Sequence, residues 1–258
     1  MNDDRLEGRI AIVTGAGSGI GAAIARRFAA AGAQVVAADI RAEAVETLAG
    51  EHRGVTARGC DVTVSTGIDA LVDETVRRCG RLDVMVNNVG QSIAGWLKDA
   101  TDAEWERVLA LTLSSTFFGV RAALRVMLPR RSGSIINISS GAGFCGAPGL
   151  ATYGAAKAGV NNLTQSAAVE NARSGVRINA ISPGAIRTPG ILQWAAELPG
   201  GVAAYEQTLL PGRFGRPEEI AAAALFLASD EASFVNGALL PVDGAASARM
   251  AAIDVPPG

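Results

Sequence analysis

The sequence contains few of the side chains that bind metals or act as nucleophiles. It has one histidine, His52, in a polar stretch, and three widely spaced cysteines, Cys60, Cys79 and Cys145. Neither residue type shows the paired spacing of a metal site. We therefore exclude a zinc site and a histidine-dependent nucleophile. We expect three reduced thiols, as in a cytoplasmic protein.

A strong net charge and long apolar runs are also missing. The 23 Lys and Arg residues nearly balance the 25 Asp and Glu residues, and the formal net charge is −2. Such a chain has no basic surface for a nucleic acid, so we expect no nucleic-acid partner. There is no run of about twenty apolar residues, and residues 1–5 lack the basic and apolar parts of a signal peptide. We expect a cytoplasmic protein without a membrane partner.

No linker rich in proline or serine divides the 258 residues, and we predict one domain, 1–258. Short apolar runs alternate with longer amphipathic ones, as in a parallel sheet covered on both faces. The predicted strands lie near Ile10–Val13, Gln34–Ala38, Val55–Gly59, Leu82–Val86, Ser134–Ile138, Arg177–Ile181 and Leu239–Val242. The predicted helices lie near Gly19–Ala31, Ala42–Ala49, Ser65–Cys79, Asp102–Leu128, Tyr153–Ser174 and Pro217–Ser229. This pattern predicts an α/β fold, a single Rossmann-like doubly wound domain with about seven parallel strands, which binds ligands at their carboxyl ends.

A glycine-rich run, TGAGSGIG at 14–21, joins the first predicted strand to the first predicted helix. We expect Gly15 and Gly17 to permit a tight turn, and Gly19 and Gly21 to let the helix approach a pyrophosphate. The unpaired N–H groups of the helix would then face the phosphates. Because such runs also occur in ordinary loops, the motif alone is a weak signal.

Three side chains near this turn bear on the choice between NAD and NADP. Asp39 ends the second predicted strand, where a ribose would lie, and its carboxylate accepts hydrogen bonds from ribose hydroxyls but repels a 2′-phosphate. Ser18 is uncharged, which also favours NAD. Arg41 is able to bind a phosphate, but we interpret it as a solvated residue at a helix start. We expect NAD as the cofactor, with Ser18 and Ile20 among its contacts.

Further motifs follow in order from about Gly8 to Gly244, and together they resemble those of the short-chain dehydrogenase/reductase family. They are the glycine turn, Asp61-Val62, Asn87-Asn88-Val89-Gly90, Ser139-Ser140, Tyr153-Gly154-Ala155-Ala156-Lys157 and Ser182-Pro183-Gly184. Each is common by chance, but their order and spacing are not. The resemblance implies an oxidoreductase that uses a nicotinamide cofactor.

Tyr153 and Lys157 are four residues apart, so on a helix they share one face. A phenol is a poor base at neutral pH unless a positive charge lowers its pKa, and Lys157 with an oxidised nicotinamide would supply that charge. The resemblance implies that Tyr153 is the general acid and base, that Lys157 lowers its pKa and holds the nicotinamide ribose, and that Ser140 stabilises the substrate oxygen. The alternative is that Tyr153 and Lys157 are a chance surface pair.

One position departs from the family pattern. Where the family usually carries asparagine, in the pattern W-x-x-V-L-x-x-N-L, this chain has Thr112 within WERVLALTL. In the family this side chain helps to hold a water that links the lysine to solvent. Threonine is shorter and has fewer donors, so it would hold the water less securely. An equally open alternative is that Thr112 hydrogen-bonds its own helix backbone.

The resemblance also implies contacts along the rest of the cofactor and the substrate. The cofactor residues are Asp61 and Val62 at the adenine, Asn88 and Gly90 at the centre, and Pro183, Gly184, Ile186 and Thr188 at the nicotinamide. A substrate lid is implied at about 186–213. Apolar side chains in and near it predict a hydrophobic substrate pocket formed by Ile93, Trp96, Phe144, Leu150 and Trp194. The alternative is that these residues only pack the lid onto the body.

These features favour an enzyme that transfers a hydride between NAD and a secondary alcohol or ketone on a fairly apolar small molecule. A second interpretation is a 3-oxoacyl-(acyl-carrier-protein) reductase, because Arg130, Arg131 and Arg173 would form a basic patch for an acidic carrier protein. Asp39 argues against it, since such reductases usually use NADPH. A third is a catalytically silent nucleotide-sensing module, for which Thr112 is the hint.

The resemblance also implies assembly of several subunits. The segments Trp105–Leu128 and Ala155–Ala168 carry apolar or small-residue faces that would pair between copies. We expect a homotetramer, with a dimer as the alternative. Whether the tail, 245–258, joins the interface or frays is left open.

Overall fold

The computed structural model of the chain describes residues 4–248, so most of the tail and the first three residues lie outside it. In the described part, seven parallel strands form one sheet in the order β3-β2-β1-β4-β5-β6-β7. The strands are β1 Ile10–Thr14, β2 Gln34–Asp39, β3 Val55–Gly59, β4 Val84–Asn87, β5 Gly133–Ile138, β6 Val176–Pro183 and β7 Leu239–Val242. The predicted doubly wound parallel sheet is confirmed.

The centre of the sheet is the point where the strand order reverses. β1 lies between β2 and β4, and Val13 is in register with Ala37 on one side and Val86 on the other. Strands β2 and β3 extend the sheet in one direction, and β4 to β7 extend it in the other. The connections from the carboxyl ends of β1 and β4 therefore diverge. They open the crevice in which such sheets bind ligands.

Helices cover both faces of this sheet. They are α1 Gly19–Ala30, α2 Ala42–Glu51, α3 Ser65–Cys79, α4 Asp102–Leu109, α5 Ser115–Met127, α6 Ala151–Glu170, α7 Pro189–Ala196, α8 Gly201–Thr208 and α9 Pro217–Ala228. One buried cluster joins α1, α2 and α9 to one face, and a second joins α3, α5 and α6 to the other. Val13 belongs to the first cluster and its neighbour Ile12 to the second, as the two-residue period of a strand requires.

The predicted helix at 102–128 is present as Asp102–Met127 but is not α-helical throughout, because the π-helical turn Ala110–Ser114 separates α4 from α5. A π turn changes which carbonyl each N–H reaches, so side chains often satisfy the displaced groups. Here the Ser115 and Thr116 hydroxyls donate to the carbonyls of Leu111 and Thr112, at 2.7 and 2.8 Å. Hydrophobic periodicity predicts the helical stretch but does not register this local change in winding.

The same stretch, Asp102–Met127, is by length and composition apolar enough to cross a membrane, and it is the one such stretch among residues 4–248. In its most apolar part 44% of the residues are buried within the fold. Since the core helices of soluble proteins meet the same criterion, this is weak support for a membrane span. The absence of a membrane partner stays a prediction.

The lid segment, 186–213, contains two helices that the sequence pattern does not predict. Thr188 caps α7 by accepting a hydrogen bond from the Ile191 N–H, and Pro189 occupies the first turn. Between them α7 and α8 bury only Ala195. Helices this short and exposed carry little periodic signal, although the Thr-Pro pair at 188–189 is a helix-start signal that was available.

Candidate active site

A cleft of about 430 Å³ opens at the carboxyl ends of the strands. The predicted cofactor and catalytic residues that line it are Gly15, Ser18, Gly19, Ile20, Asp39, Asp61, Val62, Asn88, Gly90, Ser140, Tyr153, Lys157, Pro183, Gly184, Ile186 and Thr188. Seven segments separated in sequence therefore meet here: the turn after β1, the carboxyl ends of β2 to β6, and α6. Gly17, Gly21 and Thr112 do not line the cleft.

The lining residues that were not among the predicted site residues are Ile40, Cys60, Val89, Leu111, Ile138, Ser139, Pro189, Gly190 and Ile191. Ile40 directly follows Asp39 and is 71% exposed, which is unusual for a large apolar side chain at a strand end. Cys60 precedes Asp61 and has a raised thiol pKa, because it is largely buried and lies near the Asp61 carboxylate. Both immediately adjoin predicted residues, and that adjacency was the available signal.

The glycines of the turn divide their roles differently from the prediction. Gly15 and Gly19 have positive φ angles of 63° and 54°, in the left-handed region that favours glycine. Gly17 and Gly21 are instead needed for close approach: a Cβ on Gly17 would lie 2.8 Å from Asp39 Oδ2, and one on Gly21 would lie 2.2 Å from the Gly15 carbonyl oxygen. The predicted roles of Gly17 and Gly19 are thus exchanged.

Asp39 is held at the cleft by backbone donors. Its Oδ2 accepts from the Gly17 N–H and its Oδ1 from the Arg41 N–H, both at 3.0 Å. The interpretation of Arg41 as simply solvated is incomplete. Although the Arg41 side chain is exposed, its Nε lies 3.6 Å from Asp39 Oδ1 and its Nη2 donates to the Ser18 hydroxyl at 3.3 Å. Asp39, Arg41 and Ser18 therefore form one polar group at the cleft.

Ser140, Tyr153 and Lys157 meet at the other end. Ser140 follows β5, and Tyr153 lies in the first turn of α6. The side chains of Ser140 and Tyr153 form a hydrogen bond. Lys157 Nζ lies 5.5 Å from the Tyr153 ring centre and donates to the Ile138 carbonyl at 2.6 Å. The pair is therefore not a chance surface pair, since Lys157 is 2% exposed.

Burial dominates the titration of this pair. It raises the pKa of Tyr153, which the hydrogen bond with Ser140 partly offsets, and it lowers the pKa of Lys157 to about 7. The expected depression of the Tyr153 pKa is thus not produced by the protein groups alone, because desolvation of both side chains opposes their charged forms. A further positive charge beside the phenol would shift this balance toward the phenolate.

Thr112 is fully buried behind Gly90. Its hydroxyl accepts from the Gln91 N–H at 3.3 Å, so it contacts the loop after β4 rather than its own helix backbone. A Cβ on Gly90 would lie 2.9 Å from Lys157 Nζ and 3.6 Å from Thr112 Oγ1. Thr112 and Lys157 therefore flank Gly90, and the alternative of a bond to its own helix is wrong for the hydroxyl.

None of the predicted substrate-pocket residues lines this cleft. These residues are Ile93, Trp96, Phe144, Leu150 and Trp194. Trp96 is 67% exposed, and Trp194 packs edge-on against Tyr205, with ring centres 5.1 Å apart. Both rings lie within the lid segment, so this contact decides neither for a substrate role of Trp194 nor for packing of the lid onto the body. The Gly95 N–H donates to the Gly149 carbonyl at 3.0 Å, which joins the loops carrying Trp96 and Leu150. Their role with substrate stays a prediction.

Comparison with known proteins identifies the family. Residues 15–247 match a family model described as enoyl-(acyl carrier protein) reductase. Over 245 residues the chain is 39% identical to 3-oxoacyl-(acyl-carrier-protein) reductase FabG of Thermotoga maritima. The match covers 93% of this chain and 98% of that protein. The chain belongs to the short-chain dehydrogenase/reductase family.

Two further matches support the placement of this short-chain dehydrogenase/reductase. It is 44% identical over 242 residues to cis-4-hydroxycyclohexanecarboxylate dehydrogenase of Sinomonas cyclohexanicum, covering 92% of this chain and 95% of that protein. The crystal structure of levodione reductase superposes with a TM-score of 0.91 at 35% identity, covering 95% of this chain and all of that one. The resemblance stated from the sequence motifs is confirmed.

The cleft of this short-chain dehydrogenase/reductase fits a nicotinamide dinucleotide. There is no room for a side chain at Gly17 in the turn or at Gly21 in α1, and Ser18, which directly precedes α1, makes no side-chain cap. The first N–H groups of α1 therefore remain available for a pyrophosphate. Asp39 contacts this turn through the Gly17 N–H, and Lys157 lies beside Gly90 after β4; both line the cleft. This donor set suits a ligand that carries both phosphates and ribose hydroxyls.

Proposed function

We propose that the protein transfers a hydride between NAD and a secondary alcohol or ketone on a fairly apolar small molecule. The convergence of Ser140, Tyr153 and Lys157 on the cleft that the glycine turn opens carries this proposal. Cyclic secondary alcohols and ketones are natural first substrates, given the names of the Sinomonas relative and of levodione reductase.

The protein groups would divide the proton chemistry among them. Tyr153 gives a proton to, or takes one from, the substrate oxygen, and the Ser140 hydroxyl hydrogen-bonds the same oxygen. Lys157 lies beside the Tyr153 ring and adds positive charge when protonated, which favours the phenolate. NAD, when bound, supplies the hydride acceptor. Thr112 and the Gln91 N–H would tune the environment of Lys157 from behind Gly90.

A panel of cyclic and open-chain secondary alcohols with NAD tests the proposal, by following the appearance of NADH. We expect turnover of at least one apolar secondary alcohol, because all three proton-handling groups are in place. Inactivity on every alcohol, and on the matching ketones with NADH, would favour the nucleotide-sensing alternative.

The carrier-protein alternative gains support from the similarity to the Thermotoga reductase. The position of the basic patch proposed for a carrier protein does not support this alternative. Arg130 and Arg131 precede β5 and Arg173 precedes β6, so within one chain they lie at the amino edge of the sheet, opposite the cleft. Arg131 also donates to the Arg173 carbonyl at 2.8 Å. Reduction of a 3-oxoacyl carrier protein in preference to a free ketone would reverse our choice.

Asp39 leads us to expect a preference for NAD over NADP, because a 2′-phosphate would meet its carboxylate. Calorimetric titration should give tighter binding of NAD than of NADP. Asp39→Ser should lower the affinity for NAD and raise that for NADP, since Arg41 would then be free to pair with the phosphate. Glu46→Ser removes one carboxylate from an exposed position on α2 and should change neither. Tighter binding of NADP by the parent protein would contradict the assignment.

We also propose a cytoplasmic homotetramer, with a dimer as the alternative. Trp105 and Phe117 are each 41% exposed on α4 and α5, and Val169 on α6 is 78% exposed, so three long helices carry apolar surface that one chain does not cover. Sedimentation should show a tetramer at micromolar concentration. A stable monomer would overturn the proposal.

A further inference from the structure

Strand β5 and helix α6 are joined by buried polar contacts. Asn137 lies on β5 and Ser139 directly follows the strand, two residues on, so both face the same side; Asn161 and Thr164 lie three apart on α6 and share a face. Asn137 Nδ2 donates to Thr164 Oγ1 at 2.9 Å, and the Ser139 hydroxyl donates to Asn161 Oδ1 at 2.5 Å. All four are at most 5% exposed. We call them the β5–α6 polar seam.

The outer contact of the polar seam adjoins the active site. Ser139 directly precedes Ser140, and Asn161 lies one turn beyond Lys157 on α6. Asn161 also reaches past Ser140: its Nδ2 donates to the Gly143 carbonyl at 3.2 Å. Asn161 therefore holds the segment 139–143 at both ends against the helix that carries Tyr153 and Lys157.

The segment and the helix are in close contact at this point. A Cβ on Gly143 would lie 2.8 Å from Asn161 Nδ2 and 2.9 Å from the Lys157 carbonyl carbon. The Ser139 hydroxyl also lies 3.4 Å from the Lys157 carbonyl oxygen. Because a buried polar group left without its partner is costly, these contacts favour one placement of the segment on the helix.

The inner contact provides an internal comparison. Thr164 is fully buried, and its hydroxyl donates to the Val160 carbonyl at 2.7 Å while accepting from Asn137. It joins the same strand to the same helix, about one turn farther from Tyr153. Neither the Thr164 nor the Asn137 side chain hydrogen-bonds the segment 139–143, so their loss would weaken the packing without releasing Ser140.

We propose that Asn161 is a positioning residue that sets Ser140 relative to Tyr153, by holding Ser139 and Gly143 against α6. Asn161 does not line the cleft, so it acts through the segment and touches neither substrate nor cofactor. The role in turnover rests on the proposed function, whereas the placement of Ser140 beside Tyr153 does not.

The first test compares Asn161→Ala with Thr164→Val. Asn161→Ala removes the contacts of α6 with Ser139 and Gly143, and Thr164→Val removes the contact of α6 with Asn137, so both should lower the melting temperature. Asn161→Ala should lower kcat by about tenfold or more, because a misplaced catalytic group costs this much, with the affinity for NAD little changed. Thr164→Val should keep the kcat of the parent. The double variant Asn161→Ala/Ser139→Ala should have a kcat no lower than that of the less active single variant, as expected for residues that act through one contact.

A second readout needs no substrate. The chain has two tyrosines, so in a Tyr205→Phe background the tyrosinate absorbance reports Tyr153 alone. The side chains placed to affect its titration are Ser140, whose hydrogen bond lowers the pKa of Tyr153, and Lys157. Asn161→Ala should therefore raise the titration midpoint as Ser140→Ala does, and Thr164→Val should not.

The outcomes separate the two proposals. If Asn161→Ala keeps the kcat and the Tyr153 titration of the parent, or if Thr164→Val loses kcat to the same degree, the positioning role is wrong. If the parent protein oxidises no alcohol while Asn161→Ala still shifts the Tyr153 titration, the positioning role stands and the proposed reaction fails.

Discussion

Tyr153→Phe should lose nearly all turnover and still bind NAD. The substitution removes one hydroxyl and keeps the ring that packs beside Lys157. That hydroxyl is the proposed proton-transfer group, and general acid–base catalysis typically contributes about a hundredfold or more. The contacts implied for the adenosine half of NAD, at Asp39 and Asp61, lie in other elements and are unaffected. We therefore expect a fall in kcat of at least about a hundredfold.

The control is Tyr205→Phe, which makes the same change at the other tyrosine of the chain. Tyr205 packs in the lid between Trp194 and Phe214, with ring centres 5.1 and 5.8 Å apart, and phenylalanine keeps both contacts. Its turnover should stay close to that of the parent. Steady-state rates and NAD titrations of the three proteins decide the matter. Parental turnover in Tyr153→Phe would rule out the assigned mechanism.

The parts of the fold that were predictable are those set by local pattern. Buried strands such as β1, with apolar residues on both faces, have a short continuous apolar run, and the boundaries of β3, β7 and α3 coincide with the prediction. The order of the glycine turn, Ser140, Tyr153 and Lys157 along the chain was enough to indicate that they share a cleft. These signals are local, or follow from the rule that ligands bind at the carboxyl ends of strands.

The parts that were not predictable depend on contacts between distant residues. The exchange of roles between Gly17 and Gly19 depends on where Asp39 lies, against Gly17, and on the positive φ angle of Gly19. The π turn at Ala110–Ser114 is a local change in winding, which hydropathy does not record. Asn161 has the appearance of one more polar residue on a helix until Ser139 and Gly143 are seen beside it. Its spacing of four from Lys157 was the signal available, and alone it does not distinguish a surface residue from a buried one.

The same reasoning explains why the spacing of Tyr153 and Lys157 does not give the direction of the Tyr153 pKa shift in the protein without its cofactor. The spacing of Tyr153 and Lys157 indicates a favourable charge interaction. It does not reveal that Lys157 is almost fully buried, which lowers its pKa to about 7 and weakens the positive charge it offers at neutral pH. The Ser140 hydrogen bond then becomes the main protein contribution that lowers the pKa of Tyr153.

Gly21→Ala should greatly weaken NAD binding, although it adds a single methyl group to a helix. The new Cβ would lie 2.2 Å from the Gly15 carbonyl oxygen and 2.6 Å from Asn88 Nδ2. Asn88 Nδ2 donates to the carbonyls of Thr14 and Gly15, at 3.0 and 3.2 Å. The methyl group must therefore displace either the turn or the side chain that links it to β4.

Overpacking of this kind costs about 1–3 kcal/mol. If the clash is relieved by a movement of α1 away from the turn, the first N–H groups of α1 also move away from the phosphates. If the whole cost falls on binding, the affinity for NAD drops roughly 5- to 150-fold. We expect calorimetry to show this loss, with a lower melting temperature and a smaller stabilisation by added NAD.

Gly50→Ala is the matched control, because it adds the same methyl group within α2, where a Cβ at Gly50 would have no neighbour within 4 Å. Alanine is the better helix former, so this variant should be as stable as the parent or slightly more stable, with unchanged NAD affinity. If Gly21→Ala binds NAD as tightly as Gly50→Ala, the turn is not the phosphate site. A loss confined to the melting temperature would make Gly21 a packing residue only. A loss of affinity in Gly21→Ala alone would connect the approach of α1 to the turn with the binding of the pyrophosphate.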